Sequence, residues 1–239
     1  MSAASVVVIG NEILTGKFAD ENGPYFVRRF RTLGVDLVRL VVIRDVVDEI
    51  ADEVARCAQG ADHVFTTGGV GPTHDDRTFE GVAAAFDLPL RVDPRLVEIM
   101  EGFGMEATDA NLRMATVPEG AELVLHPTMP YPVIRVRNVW VLPGVPQLVK
   151  QKFEVIAPQL AGEAVRCVRI YANDHESEVA SLLAGAQAAH PAVEIGSYPR
   201  FHGRDHRLIV TLEARDEVAL AAAVERVRQG LDVVRLEGP

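Results

Sequence analysis

The β-rich run His63–Thr67 leads directly into Gly68-Gly69-Val70-Gly71-Pro72, and a helical pattern opens near Thr78. Three glycines within four positions free the backbone to adopt φ > 0 and let a bulky anion approach the main chain. A strand, a glycine loop and a helix in that order can present backbone amides to such a ligand. The preceding sequence has the same rhythm. Val6–Ile9 is an apolar run, and Asp20 precedes a helix over about 22–33 whose stripe is Phe26, Val27, Phe30 and Leu33. Gly34 fits the position just past its end. Asp36–Ile43 is β-rich, and Asp45 or Asp48 can cap a helix carrying Ile50, Ala51, Val54, Ala55 and Ala58. Strands alternating with amphipathic helices imply parallel pairing through right-handed crossovers.

Asp93-Pro94 is a cap followed by a first-turn proline, which predicts a helix to about Phe103. Asn111–Ala115 is a short helical candidate. Leu123–Leu125, Val133–Val136 and Val139–Leu142 read as strands, the last two joined by a turn at Arg137-Asn138. Pro143-Gly144-Val145-Pro146 stops the last strand, and a helix follows to about Leu160. Near Gly162 the composition changes, and the order becomes strand, helix, strand, strand, helix, strand. That is the order of a ferredoxin-like unit. The expected architecture is therefore α/β: a mostly parallel three-layer sheet over 1–162, plus a small C-terminal α+β unit over 163–239.

Charge and composition narrow the function. A net charge of −10 speaks against nucleic acid, which needs a basic face. No apolar run approaches the ~18 residues of a membrane span, and the first residues carry no basic leader, so a cytoplasmic protein without membrane contact is expected. The two cysteines, Cys57 and Cys167, have no metal-ligand spacing and read as reduced, buried thiols. An acidic chain must hold an anion locally, through amides, a helix start or a metal.

Asp75 and Asp76 follow the glycine loop where the next helix begins, and Thr73 and Thr78 offer hydroxyls. Either aspartate can favour the helix N-terminus. Two adjacent carboxylates would repel a phosphate unless a cation sat between them, and Mg²⁺ suits carboxylates plus substrate phosphates. The loop is neither a Walker A loop nor a dinucleotide fingerprint. Two other loops follow parallel strands and should reach the same sheet edge: Gly10-Asn11-Glu12-Ile13-Leu14-Thr15-Gly16 and Arg44-Asp45. Asp45 reads first as a helix cap, and Glu12 is either a solvated loop residue or a base. His74, a ligand or base candidate, ranks below the acids.

Those loops, with Asn22, Asn111-x-Arg113, Pro118-Glu119-Gly120-Ala121 and Leu142-Pro143-Gly144-Val145-Pro146, resemble the molybdopterin-binding-domain superfamily. Within it the chain is similar to the N-terminal region of CinA and, more closely, to the molybdopterin-binding-type domain of eukaryotic FAD synthase. There Gly-Gly-x-Gly-Pro-Thr-His-Asp-Asp recurs, as does Gly-Ser-Tyr-Pro, here Gly196–Pro199.

The resemblance implies functional acids at Asp76 and Asp45, with Glu12 beside them. It implies ligand contacts from Asn11, Gly16, Asn22, Gly68, Gly69, Gly71, Pro72, Thr73, Thr78, Asn111, Arg113, Pro143 and Gly144. Asp75 and Asp76 are the expected holders of a divalent metal such as Mg²⁺, with no organic cofactor required. The activity implied is hydrolysis of dinucleotide pyrophosphates of the FAD or ADP-ribose class; the alternative is non-catalytic binding of a molybdopterin-class ligand. Molybdopterin enzymes carry Thr where Val70 stands and Arg where Asp75 stands, and the change to a carboxylate favours a metal-bridged pyrophosphate. With the chain ending at Pro239, neither the amidohydrolase activity of CinA nor the adenylyltransferase activity of FAD synthase is expected. A homo-oligomer, a dimer first, is expected by resemblance. Gly196–Arg200 is either a strand end turning at proline or a lid over a ring.

Overall fold

The computed structural model describes residues 2–160, 162–200 and 205–238. The chain divides into two compact units, Met1–Gly162 and Glu163–Pro239. The first opens with β1 (Ala3–Ile9), α1 (Asn11–Leu14), α2 (Asn22–Leu33), β2 (Asp36–Ile43), α3 (Val47–Gly60) and β3 (His63–Thr67). After the glycine loop come α4 (Thr78–Ala85), β4 (Leu90–Val92), α5 (Pro94–Gly102), α6 (Asp109–Ala115) and β5 (Thr116–Pro118). It closes with β6 (Glu122–His126), β7 (Met129–Val136), β8 (Val139–Leu142) and α7 (Pro146–Ile156).

Six strands form the main sheet in the order β2-β1-β3-β8-β7-β6. The first four run parallel, β7 runs antiparallel to β8, and β6 runs antiparallel to β7. Alternation along the strands sends side chains to both faces. Val7 and Ile9 pack with Ile50 and Val54 of α3 and Val82 of α4. Val6 and Val8 pack with Phe26 and Phe30 of α2 and Phe153 of α7. Helices therefore cover both faces, giving three layers. Phe26, Phe30, Phe65 and Phe153 are fully buried, and each such ring contributes on the order of 2–3 kcal/mol of burial energy.

Asp20 stops α2 from fraying, because its carboxylate accepts the N–H groups of Asn22 (2.9 Å) and Gly23 (3.0 Å). The cap reading of Asp45 is overturned. α3 starts at Val47 with no side-chain cap, and the Asp45 carboxylate instead accepts the Asn11 N–H at 2.7 Å. α1 and the β4–β5 pair are additions to the sequence reading.

In the second unit, β9 (Arg166–Ala172), α8 (Glu176–Ala189), β10 (Glu194–Pro199), β11 (Leu208–Ala214), α9 (Glu217–Arg228) and β12 (Val233–Glu237) follow in chain order. Its antiparallel sheet runs β10-β11-β9-β12, which is the ferredoxin-like arrangement. Gly196–Pro199 lies within β10, as the strand-end reading has it. Among the described residues no helix is long and apolar enough to cross a membrane, and neither cysteine forms a disulfide; Cys57 is buried as expected, whereas Cys167, on β9, is only half-buried.

Candidate functional site

Because β1, β2, β3 and β8 are parallel, their carboxyl ends share one edge. The Gly10 N–H donates to Ile43 O (3.1 Å) and the Gly68 N–H to Leu142 O (3.2 Å), tying the four ends together. Glycine is required where they touch. Gly68 has φ 104°, and a Cβ on it would lie 2.0 Å from Ile9 O. Gly69 has φ 62°, and its Cβ would lie 2.6 Å from Thr78 Oγ1.

The loop from 68 to 77 contains no helix or strand. Thr78 is fully buried; its N–H donates to Gly69 O (2.9 Å) and its hydroxyl to Gly68 O (2.7 Å). The expectation that Thr78 donates to a ligand is thereby corrected, since its hydroxyl proton already braces the loop. The Thr73 N–H donates to Asp76 Oδ2 at 2.8 Å. Among the described residues, the N–H groups of Gly69, Val70 and Gly71 have no protein acceptor. Three successive amides following the positive-φ Gly68 are thus left free of protein acceptors, the kind of backbone that can cradle an anion.

The acids crowd these amides. Thr73 Oγ1 lies 2.6 Å from Asp75 Oδ1 and 2.5 Å from Asp76 Oδ2. A hydroxyl has one proton to donate, so one of these contacts sets oxygen against carboxylate oxygen, a situation that a cation relieves. That hydrogen bond holds the Asp75 carboxyl below the usual range. Burial pushes the Asp45 carboxyl up, against its bond to the Asn11 N–H, and the charges of Glu12 and Asp75 push it further. Among the described residues no Lys or Arg pairs with Glu12, Asp45, Asp75 or Asp76; His74 Nδ1 stands 4.0 Å from Asp75 Oδ1. No three His, Cys, Asp or Glu side chains among them form a ready metal cage. Mg²⁺ commonly needs only one or two carboxylates plus substrate phosphates, so the donors present fit a substrate-bridged cation.

A cleft of about 1020 Å³ opens at this edge, at the top of the ~300–1,000 Å³ range of small-molecule sites. Glu12, Asn22, Gly68, Gly69, Gly71, Asp76, Pro143 and Gly144 line it. Asn11, Asp45, Thr73, Asp75 and Thr78 support that wall without lining the cleft, and Pro72 does not line it. Gly16 ends the turn after α1. Asn111 and Arg113 are not brought to the cleft wall; the Asn111 amide donates to Glu106 O (2.9 Å) and closes its own loop.

Asn22 is 6% exposed. Its Nδ2 donates to Gly144 O and to Thr67 Oγ1, both at 2.9 Å, and Thr67 Oγ1 in turn donates to Pro143 O. A carbonyl can only accept, so the amide orientation is fixed. Asn22 Oδ1 is left buried without a partner, an acceptor awaiting a donor.

Sequence reasoning missed Lys152. It lines the cleft at 9% exposure, yet Val149, Lys152, Phe153 and Ile156 are all inward-facing on α7. A lysine at the i+3 position of an apolar i, i+3, i+4, i+7 stripe was the available signal.

The model of the probable molybdopterin binding domain matches residues 5–162, and that of the FAD synthase middle domain matches 164–236. A protein of Archaeoglobus fulgidus is 31% identical over 95% of the chain and 97% of its own length. A probable FAD synthase of Caenorhabditis briggsae is 31% identical over 92% of the chain. There the chain spans only 47% of the relative's length. The crystal structure of the protein CinA, of unknown function, from Thermoplasma acidophilum superposes with TM-score 0.60 at 30% identity. It covers 66% of the chain and 98% of that structure.

Proposed function

Because the chain belongs to the probable molybdopterin binding domain family and carries a FAD synthase middle domain after it, we propose that it hydrolyses dinucleotide pyrophosphates of the FAD or ADP-ribose class with a divalent metal. The observation that carries this reading is the run of acceptor-free amides Gly69–Gly71 set beside acids that no Lys or Arg neutralises among the described residues. Amides alone favour any phosphate; amides beside carboxylates favour a phosphate that arrives with a cation. A bound Mg²⁺ would neutralise phosphoryl oxygens and acidify a water.

The residues divide the remaining work. The Gly69, Val70 and Gly71 N–H groups stabilise negative charge on the phosphoryl oxygens. Asp76, on the cleft wall, and Asp75 beside it would hold the cation. Water adds to one phosphorus as the bridging P–O bond breaks, giving two phosphomonoesters. Glu12, on the cleft wall, is the acid that receives the water's proton, and Asp45 behind it holds the Asn11 N–H. Asn22 Oδ1 accepts from a sugar hydroxyl, because a phosphate there would set acceptor against acceptor.

A second reading, non-catalytic binding of a molybdopterin-class ligand, draws support from the lack of a three-ligand metal cage among the described residues. One experiment separates the two. FAD and ADP-ribose are incubated with the protein and a series of divalent metals, and AMP release is followed. Metal-dependent AMP release supports hydrolysis, and binding of a pterin without turnover supports the second reading. FAD synthase relatives are named for a transferase activity, and AMP release without added ATP keeps hydrolysis distinct from it.

Asp45 offers a test of sign. Its folded pKa is raised above the ordinary 3.8, so the stability it contributes is present below that value and is lost as pH rises through the folded pKa. At neutral pH its ionised form is therefore a burden on the metal-free fold. Asp45→Asn keeps an oxygen for the Asn11 N–H and removes the charge. Metal-free D45N is expected to melt above the wild type at pH 7, with the gap closing towards pH 4, while turnover falls. Thermal melts followed by Trp140 fluorescence check this, and a lower melting temperature at pH 7 refutes it.

A further inference from the structure

The Lys152 ammonium donates to two backbone carbonyls, Tyr131 O and Pro132 O, both at 2.7 Å. It also lies 5.4 Å from the Tyr131 ring centroid. No carboxylate pairs with it among the described residues. Burial pulls its pKa down to about 8. A buried ammonium without a counter-ion is costly, and a neutral amide would suffice to tie two carbonyls. An ammonium has three N–H donors, and two are used. Its hydrogen-bond partners Tyr131 and Pro132 also line the cleft, as do their neighbours Met129 and Pro130 and, on its own helix, Leu148 and Gln151. The Tyr131 hydroxyl reaches Met114 O at 2.7 Å, which brings Met114 to the same wall. Apart from Gln151 and Lys152 these residues are apolar or aromatic, and none of them belongs to the glycine loop.

We propose that the Tyr131–Lys152 end of the cleft is a subsite for a planar heterocycle bearing a ring carbonyl, with the third Lys152 N–H donating to that oxygen. The inference rests on the hydrolase reading and names which half of the dinucleotide enters this end. A phosphate does not suit it, because a single lysine with two of its N–H groups already donated to Tyr131 O and Pro132 O would leave most phosphate oxygens unpaired. A lactam or imide ring, such as an isoalloxazine or a pterin, presents apolar faces to thioether and aromatic surfaces. A cationic donor beside its carbonyl tunes the ring. Adenine has similar faces and no carbonyl.

The test uses riboflavin, which has the ring and no phosphate, with the full chain and no metal. Riboflavin fluorescence is titrated with wild type, Lys152→Met and Lys152→Arg, and adenosine is the competing ligand. Wild type is expected to bind riboflavin at least about tenfold more tightly than adenosine. Lys152→Met is expected to lose about tenfold or more, the worth of a hydrogen bond to a charged donor, and Lys152→Arg is expected to recover most of it. Trp140 fluorescence melts establish that each variant is folded. The comparison of riboflavin with adenosine on wild type decides the matter even where Lys152→Met does not fold. Equal affinity for riboflavin and adenosine, or unchanged riboflavin affinity in folded Lys152→Met, overturns the subsite. ADP-ribose cleavage by the same wild-type preparation tests the hydrolase reading separately. Cleavage without riboflavin binding sinks the subsite alone; riboflavin binding that depends on Lys152 without cleavage upholds the subsite and sinks the hydrolase.

Discussion

Asp76→Asn is expected to reduce metal-dependent AMP release from FAD or ADP-ribose by about 10²-fold or more while the fold survives. Asp76 lines the cleft, whereas Asp75 does not. Its Oδ2 is also the acceptor for the Thr73 N–H, so one carboxylate both shapes the loop and faces the ligand. Asparagine retains a carbonyl oxygen for the Thr73 N–H and loses the charge, which separates the two roles. Loop geometry is therefore kept, and the attraction for a cation beside the phosphate is lost. The readouts are AMP release against metal concentration and the Trp140 melt. A higher metal requirement at low activity, with an unchanged melt, is the expected pattern. Wild-type turnover with the wild-type metal requirement would remove Asp76 from the mechanism.

The sequence carried the loop and its strand because both are local: His63–Thr67 is a short β-rich run, buried over Val64–Thr67 as a central parallel strand is, and glycines announce a bend. It misassigned Asp45 for the opposite reason. A cap is judged from the next three residues, and the true partner, Asn11, lies 34 residues earlier. Thr78 failed in the same manner. Its hydroxyl is positioned like a ligand donor, yet the carbonyl of Gly68, ten residues back, claims the proton. β4 and β5 are three residues each, too short for a period-2 pattern to register. Asn111 matched a family motif without revealing that its amide closes onto Glu106 O. Motif matching locates a segment, and hydrogen-bond bookkeeping decides which atoms remain free for a ligand. By that measure Asn22 gained weight, because its free oxygen is buried at the cleft.

Gly68→Ala is expected to be the most damaging single-methyl change in the loop. The new Cβ would stand 2.0 Å from the Ile9 carbonyl oxygen, at a φ of +104°. The obstructing atom is backbone at the end of β1, so no side-chain rotation relieves it. Ile9 is itself buried at 2% exposure and packs with Ile50 and Val54 of α3. Moving its carbonyl therefore disturbs the core beneath the site. The backbone strain and the clash together are expected to cost roughly 3 kcal/mol or more, lowering the melting temperature by roughly 6–12 °C. Trp140 is the sole tryptophan, is 1% exposed and lies in the first unit, so its fluorescence reports that unit's melting. Gly60→Ala is the matched control: nothing lies within 4 Å of its Cβ position, and its φ is not in the left-handed range. It is expected to melt within about 1 kcal/mol of wild type. In folded Gly68→Ala below its transition, turnover should also fall, because the amides of Gly69–Gly71 move with the loop. A Gly68→Ala protein that melts with Gly60→Ala and cleaves ADP-ribose at the wild-type rate would show that β1 and the glycine loop are not locked together at this contact.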